Sequence, residues 1–320
     1  MKSKLTYRLA ATLIMAIGLI FTSCKKEGCT NPDATNYNSK AKKDDGSCVL
    51  PATTTPVVPP TSPPATDTTT VTDKANTKGL TEIGSLTIDA AEATIKLYAE
   101  GTLYNGYNKL YVVTTDKTSG GLLKDGAVTI QPMMDMGTMK HSAPFVNPVG
   151  TTPNSKGLYE ASVVFIMPGN ATQKWTVKVK YMNQKNQKEG EVEFPIDVKS
   201  NPNRVIDNFK AADDTNQTVF VTWKLSATPT VGVNDLSLMV HYRKNMMEFP
   251  AMEDLIIEID PQMPSMGHGS PNNVNPVYSP NGTYLGKVNF TMSGLWKINL
   301  KIKRKDGTLM NDKIYFEYTL

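Results

Sequence analysis

Histidine and cysteine are the scarcest functional residues of this chain, with three of each among 320 residues. General acid–base catalysis relies most often on histidine, while thiol nucleophiles and cysteine-rich metal clusters need cysteine. The sequence also lacks a phosphate-binding glycine loop, a nucleophile elbow and a paired-carboxylate motif. These absences exclude most enzyme classes, and we expect a non-enzymatic protein.

Neither positive nor negative charge is in large excess. Lys and Arg total 34 against 30 Asp and Glu, which gives a formal net charge of +4. Three of the positive charges, Lys2, Lys4 and Arg8, lie in an N-terminal segment that has the pattern of a removable secretory signal. A nearly neutral mature chain argues against a nucleic-acid partner. Hydrophobic residues make up 39% of the sequence, which is enough for at least one core, and we expect two.

The N-terminal segment continues with the apolar run 9–21 and then Thr22-Ser23-Cys24. Such a run is short for a membrane span and typical of a signal peptide, so 1–23 is predicted to be removed. Small residues before a cysteine, with Lys25-Lys26 after it, resemble the lipobox of bacterial lipoproteins. The resemblance implies lipidation of Cys24 and an exported protein anchored in the cell envelope, with the outer membrane as the expected location. An uncleaved anchor is the alternative.

With Cys24 lipidated, Cys29 and Cys48 remain as an even pair in an oxidising compartment, and we predict a disulfide between them. The segment that runs from GCTNPDATNYN to DDGSC resembles a short module that recurs in surface and secreted proteins of Bacteroidetes-type bacteria. Its Asn and Asp oxygens are ligands of the kind that Ca²⁺ prefers. A Cys-closed spacer over 24–49 is the favoured interpretation, and Ca²⁺ binding is the alternative.

Thr, Pro, Ala and Val dominate the next segment, residues 50–79. This composition cannot bury a core and predicts a disordered but extended, semi-rigid linker. At roughly 3 Å per residue in a polyproline II conformation, the linker would hold the rest of the chain several nanometres from the membrane. We therefore expect the linker to let the folded domains act at a distance from the membrane.

Beyond the linker, apolar and polar residues alternate over short stretches, and no helical period extends far enough to compete. Asn, Gly, Asp and Pro separate the stretches. The predicted strands are 94–98, 109–114, 127–130, 161–166, 174–180, 191–198, 217–225, 235–242, 255–259, 283–290, 296–302 and 313–318. The pattern predicts an all-β chain of two β-sandwiches.

An internal repeat supports two tandem copies of one domain. Residues 136–144 and 263–271 both read M-x-x-M-x-H-x-x-P, and each follows a strand-like stretch that ends in Pro, 128–132 or 256–261. The correspondence continues between Gly157-Leu158-Tyr159 and Gly282-Thr283-Tyr284, and between Trp175 and Trp296. We predict repeat one over 80–200 and repeat two over 201–320.

Methionine is abundant, with 16 residues, and the repeat places it beside histidine. Thioether and imidazole ligands together suit Cu(I) better than Zn²⁺, Mg²⁺ or Ca²⁺. Methionine also keeps its soft sulfur in an exported protein without forming disulfides. The predicted metal ligands are Met136, Met139 and His141 in repeat one, and Met263, Met266 and His268 in repeat two.

A structural interpretation of the same residues stays open. Methionine is a flexible filler of irregular gaps, and a loop over the open end of a sandwich would use it for packing. The histidine would then be satisfied by the backbone. The third histidine, His241, lies in the alternating stretch 238–242 and is interpreted as a strand residue, not as a ligand.

The run MPSMGHGS at 263–270, followed by Gly282-Thr283-Tyr284, FTMSG at 290–294 and WKI at 296–298, resembles the YtkA-like/FixH-like family. Repeat one matches it less closely, because Lys140 stands where repeat two has Gly267. The resemblance implies small exported domains with an immunoglobulin-like β fold. It also implies a role in copper handling or in the assembly of copper-containing oxidases.

Together these observations predict a lipid-anchored envelope protein that binds Cu(I) for capture, transfer or resistance. Its expected partners are the membrane, through the lipid, and a copper efflux or oxidase-assembly complex. The rival hypothesis is a surface interaction or adhesion module whose Met/His loops are structural. In the rival case the sulfurs would be buried in apolar contacts, and a binding patch would lie elsewhere.

Overall fold

The computed structural model describes residues 27–30, 36–45, 47, 73–212 and 215–320. The predicted signal peptide, Cys24, Cys48 and most of the linker lie outside these residues. The regular secondary structure of the described part consists of β-strands. Within it, no helix has the length and apolar character needed to cross a membrane.

The chain divides into two compact units, and the first comprises residues 1–67. In its described part Cys29 is buried and disulfide-bonded. The Asn38 N–H donates to the Cys29 carbonyl at 2.9 Å, and the Gly28 N–H donates to the Lys43 carbonyl at 3.1 Å. The pairing of Cys29 with Cys48 stays a prediction, because Cys48 lies outside the described residues.

The second unit, residues 68–320, contains two sets of strands. The strands of the first set are β1 (Thr81–Ile88), β2 (Ala93–Ala99), β3 (Leu103–Tyr104), β4 (Gly106–Asp116), β5 (Gly126–Asp135), β6 (Lys140–His141), β7 (Phe145–Val146), β8 (Tyr159–Phe165), β9 (Lys174–Asn183), β10 (Lys188–Ile196) and β11 (Val198–Lys199). The strands of the second set are β12 (Ile206–Lys210), β13 (Thr218–Trp223), β14 (Gly232–Tyr242), β15 (Ile256–Met263), β16 (His268–Gly269), β17 (Val274–Ser279), β18 (Thr283–Phe290), β19 (Leu295–Lys303), β20 (Leu309–Asn311) and β21 (Tyr315–Thr319).

Each set forms a β-sandwich, and the two share one strand order. In sandwich one, the sheet β1-β2-β4-β8-β7 accompanies the sheet β10-β9-β5-β6. In sandwich two, β12-β13-β14-β18-β17 accompanies β16-β15-β19, and β19 pairs with both β20 and β21. Paired strands in these four sheets are antiparallel. The predicted fold of tandem immunoglobulin-like β-sandwiches is confirmed.

Alternation along the central strands explains why each sheet has one buried face. In β9, Trp175 and Tyr181 point inward and are fully buried, and lysines occupy positions between them. In β19, Trp296 and Ile302 do the same. The inward residues form two separate hydrophobic cores, one in each sandwich.

Three longer strands were missed by the sequence analysis, and all three lie at sheet edges. They are β1, β12 and β17. The strand β1 exposes five of its eight residues, so little apolar alternation remains to be read. An edge strand has a neighbour on one side only and buries less surface, which weakens its hydrophobic pattern.

The glycines that the repeat matched, Gly157 and Gly282, both have positive φ and precede the same strand in the two sandwiches. Gly157 has φ +76 before β8, and Gly282 has φ +66 before β18. A Cβ on Gly282 would lie 2.7 Å from the Ala251 Cβ and 2.8 Å from the Val240 carbonyl oxygen. The turn therefore requires glycine for its backbone conformation and also for space.

We expect Gly282→Ala to lower the free energy of unfolding by roughly 3 kcal/mol, because it adds a clash with backbone to a strained φ. Gly307→Ala is the matched control, since Gly307 has φ +89 and open space around it. The control should cost only about 1 kcal/mol. Urea denaturation of both variants measures the difference. Equal losses would contradict the steric role of this turn.

The two sandwiches contact each other directly. The Asn201 N–H donates to the Asn105 side-chain oxygen at 2.7 Å, next to the parallel pair formed by β3 and β11. The Lys224 Nζ lies 5.1 Å from the centroid of the Tyr107 ring, and β4 packs against β13. The Ser142 N–H donates to the Met246 carbonyl at 2.8 Å. This last bond joins the Met/His segment of repeat one to sandwich two.

Candidate functional site

The Met/His segments form two short hairpins at matching sheet edges. In hairpin one (134–141), β6 pairs with β5 through Met134 with His141 and Asp135 with Lys140. In hairpin two (263–268), β16 pairs with β15 through Met263 with His268. Each turn contains a glycine with positive φ, Gly137 or Gly267. Both histidines therefore occupy a paired strand position, and the loop methionines precede them.

The pairing register changes the correspondence of the methionines. Met134 pairs with Trp175 across β5 and β9, and Pro261 pairs with Ile298, which places Met263 beside Trp296. The structural counterpart of Met263 is thus Met134, whereas the sequence motif aligned Met263 with Met136. Hairpin one is longer by the pair Asp135 and Lys140, whose side chains form an ion pair at 3.0 Å.

The two histidines have the same orientation. The His141 Nδ1 donates to the Ser142 carbonyl at 2.7 Å, and the His268 Nδ1 donates to the Gly269 carbonyl at 2.9 Å. In each case this bond places the proton on Nδ1 and leaves a lone pair on Nε2. Within the described residues, no hydrogen bond engages either Nε2.

A tryptophan edge fixes each imidazole from the core side. The His141 and Trp175 ring centroids are 5.3 Å apart at 87°, and those of His268 and Trp296 are 6.0 Å apart at 72°. Both tryptophans are fully buried, and each indole N–H donates to a main-chain carbonyl at 3.0 Å. The histidine rings are therefore held by one hydrogen bond and one rigid aromatic contact.

The predicted sulfur ligands divide into two groups. Met139 is 50% exposed and Met266 is 62% exposed, and each lies two residues before its histidine. Met263 is buried in the core of sandwich two, and Met136 packs against the core of sandwich one. The exposed methionines fit an accessible metal site, whereas the buried Met263 and the partly buried Met136 fit the packing interpretation.

The two hairpins differ in their surroundings. His141 and Ser142 are buried where hairpin one meets Met246, whereas His268 is half-buried and Gly269 is exposed. Burial lowers the pKa of His141, the hydrogen bond to the Ser142 carbonyl opposes this, and the Arg243 charge lowers it further. Hairpin two is thus the more open of the two candidate sites.

In the part of the chain that the structure describes, no group of three or more histidine, cysteine, aspartate or glutamate side chains could hold a metal ion. The candidate sites rest on thioether sulfur and imidazole nitrogen, the donor pair that the sequence analysis assigned to Cu(I).

A third Met/His pair involves His241, which the sequence analysis interpreted as a strand residue and not as a ligand. Met239 and His241 lie on one face of β14, and both are buried. The His241 Nδ1 is buried and has no hydrogen-bond partner in the described residues. All three histidines of the chain follow a methionine by two residues, and this M-x-H signal was available in the sequence.

Burial lowers the pKa of His241 to about 4, against an ordinary value of 6.5. The unfolded chain therefore binds this proton more tightly than the folded chain does. The contribution of His241 to the free energy of unfolding is complete above pH 6.5 and is lost as the pH falls from 6.5 to 4. We expect the imidazole NMR signal that disappears in His241→Gln to titrate with a midpoint near 4. A midpoint near 6.5 would contradict the burial of this ring.

Comparison with known proteins gives no family for this chain. No family model and no curated protein match it. Among solved structures, the bacterial integrin-binding protein invasin is 11% identical over 71% of this chain and 39% of its own, with a TM-score of 0.20. The Escherichia coli adhesin FdeC is 14% identical over 68% and 63%, with a TM-score of 0.20.

A Parabacteroides merdae beta-glucuronidase is 10% identical over 70% of this chain and 25% of its own, with a TM-score of 0.21. The chain thus spans less than two thirds of each of these structures. TM-scores this low give no basis for transferring a function.

Proposed function

We propose that this protein is a non-enzymatic envelope lipoprotein that binds Cu(I) at two sites, one on each hairpin. His141 with Met139 would hold one ion, and His268 with Met266 would hold the other. The observation that carries the proposal is the matched presentation of the two histidines. In both hairpins the histidine Nδ1 donates to a main-chain carbonyl, and Nε2 makes no hydrogen bond within the described residues. An exposed methionine lies two residues before each histidine.

The chemistry of these groups suits a soft monovalent ion. Cu(I) accepts neutral nitrogen and sulfur ligands. A hydrogen bond from the remote ring nitrogen to a carbonyl fixes the tautomer and orientation of a ligating histidine. Both hairpins supply that support before any ion arrives, so little ordering would be needed at binding.

The other methionines of the two hairpins would have structural roles. Met134 and Met263 are directly opposite the histidines and buried, so their main contribution is to anchor the hairpins on the cores. Met136, packed on sandwich one, is the weaker candidate for a third ligand. The lipid anchor at Cys24 and the linker 50–79 would hold these sites away from the membrane, in reach of an efflux or oxidase-assembly partner.

Competitive titration with a Cu(I) chelator under reducing conditions tests the proposal on the lipid-free protein. We expect two equivalents to bind at the hairpins of the wild type, and we expect both to be lost in His141→Ala/His268→Ala. Met247→Leu/Met292→Leu is the matched control, because both methionines are similarly exposed and lie outside the hairpins. An unchanged double-histidine variant would overturn the proposal and favour the surface-interaction alternative.

A further inference from the structure

A second buried layer lies on the outer face of sandwich two. Phe220, Met239 and Phe249 are buried but belong to neither core, and the Phe220 and Phe249 rings contact edge to face at 5.8 Å. Thr222 and His241 are also buried on this face. We call these five residues the junction layer, because two of them lie on β13, the strand that β4 of sandwich one contacts.

The end of β14 continues into a hairpin that meets sandwich one. The Tyr242 N–H donates to the Pro250 carbonyl at 3.0 Å, and the Met252 N–H donates to the Val240 carbonyl at 2.8 Å. The tip of this hairpin carries Met246, whose carbonyl accepts the Ser142 N–H. The hairpin that carries Phe249 of the junction layer therefore also contacts the end of hairpin one.

Two polar atoms in this layer are unsatisfied. The His241 Nδ1 and the Thr222 Oγ1 are buried and have no hydrogen-bond partner in the described residues. In the β13–β14 register, Thr222 is opposite Met239 and Phe220 is opposite His241, so the two polar side chains share one face. Leaving such atoms unpaired in the interior is costly, which points to an absent ligand.

The layer restricts the chemistry of that ligand. It offers a neutral imidazole, a thioether and a hydroxyl, its other members are phenylalanines, and the Arg243 guanidinium lies 5.5 Å from the centroid of the Phe220 ring. No carboxylate belongs to it, so a divalent ion would keep its full double charge in an apolar site, at a high desolvation cost. A monovalent ion with nitrogen and sulfur ligands is the class that fits.

We infer that Met239 and His241 form a third binding site for a soft monovalent cation, Cu(I) or its analogue Ag(I), buried in the junction layer. This site does not depend on the two hairpin sites of the proposed function. Both ligands are buried, so an ion would reach them only when the layer opens, and uptake is therefore expected to be slower than at the hairpins.

Ag(I) titration of His141→Ala/His268→Ala tests the inference, followed by gel filtration and metal analysis. We expect this variant to retain one equivalent, taken up slowly, and to lose it when Met239→Leu is added. Met310→Leu is the matched control, because Met310 is also buried but has no histidine beside it. The control should retain the equivalent.

A thermal measurement guards against misfolding of the variants. Ag(I) should raise the Tm of His141→Ala/His268→Ala and of its Met310→Leu derivative, but not of its Met239→Leu derivative. His241→Gln gives a second, independent removal of a ligand. Retention of the equivalent in both Met239→Leu and His241→Gln would overturn the third site.

The outcomes for the hairpin sites and the third site can be told apart. If the wild type binds one equivalent that Met239→Leu removes and His141→Ala/His268→Ala leaves in place, the hairpin proposal fails and the third site stands. If the wild type binds two equivalents and the double-histidine variant binds none, the reverse holds. The third site would also be overturned by a high-resolution structure that shows a water molecule between His241 and Thr222 and no metal after soaking.

Discussion

Replacing Trp296 with alanine is expected to lower the free energy of unfolding of sandwich two by about 4 kcal/mol. Trp296 is fully buried, its ring contacts Phe290 at 5.5 Å, and its N–H donates to the Met292 carbonyl at 3.0 Å. Alanine would leave a cavity and an unpaired carbonyl. It would also remove the ring that holds His268. Urea denaturation followed by circular dichroism measures the loss.

Trp296→Phe provides the control, because phenylalanine keeps most of the volume and removes the hydrogen bond. Its expected cost is about 1–2 kcal/mol. Hydrogen exchange locates the effect, since the amides of β15 and β19 should lose more protection than those of β5 and β9. A loss below about 1 kcal/mol in Trp296→Ala would contradict the central role of this residue in the second core.

Replacing Met139 with leucine is expected to weaken Cu(I) binding at hairpin one by about 100-fold, a loss comparable to the largest effects of altering a metal site's support. The same change at Met136 should alter the affinity by less than about threefold. Met139 is half exposed and two residues from His141, whereas Met136 packs against the core. Leucine keeps the volume of methionine and removes the sulfur.

Competitive chelator titration in a His268→Ala background isolates hairpin one for this measurement. The two single variants differ by three positions in one short segment, so each serves as the control of the other. A larger loss in Met136→Leu than in Met139→Leu would restore the ligand set that the sequence motif suggested. It would also show that the packing of Met136 is rearranged when the ion binds.

The strands of both cores were predictable because burial imposes a strict alternation on them. Every stretch from 94–98 to 313–318 falls on or overlaps a strand of the structure. The edge strands were not predictable in the same way, because strand β1 is largely exposed and carries little of that signal. The repeat was visible in the glycine and tryptophan positions, which the fold constrains most tightly.

The methionine correspondence was wrong for a physical reason. Hairpin one contains one more residue pair than hairpin two, and this addition brings Met136 into the spacing that Met263 has from His268. Only the pairing of β5 with β9, and of β15 with β19, reveals that Met134 is the equivalent residue. Strand register is a long-range property and cannot be read from a short motif.

The buried state of His241 was likewise beyond the sequence. Its alternating context identified a strand correctly, but the outer face of β14 is buried because the hairpin after that strand returns beside it, with Ala251 paired to His241 and Phe249 packed on Phe220. This packing, which no local pattern encodes, converts an ordinary strand residue into a buried and unsatisfied one.

Each hairpin histidine contacts a tryptophan edge to face, so metal binding at each repeat can be followed separately by tryptophan fluorescence. Trp175 and Trp296 report on His141 and His268, so an ion arriving at either imidazole should quench one indole emission. Trp223 is surrounded by Phe290, Phe316 and Tyr318 and supplies a constant background. One variant replaces Trp175 with phenylalanine and another replaces Trp296. Comparing the fluorescence quenching of the two variants during a metal titration gives the order in which the repeats bind the ion, without an added dye.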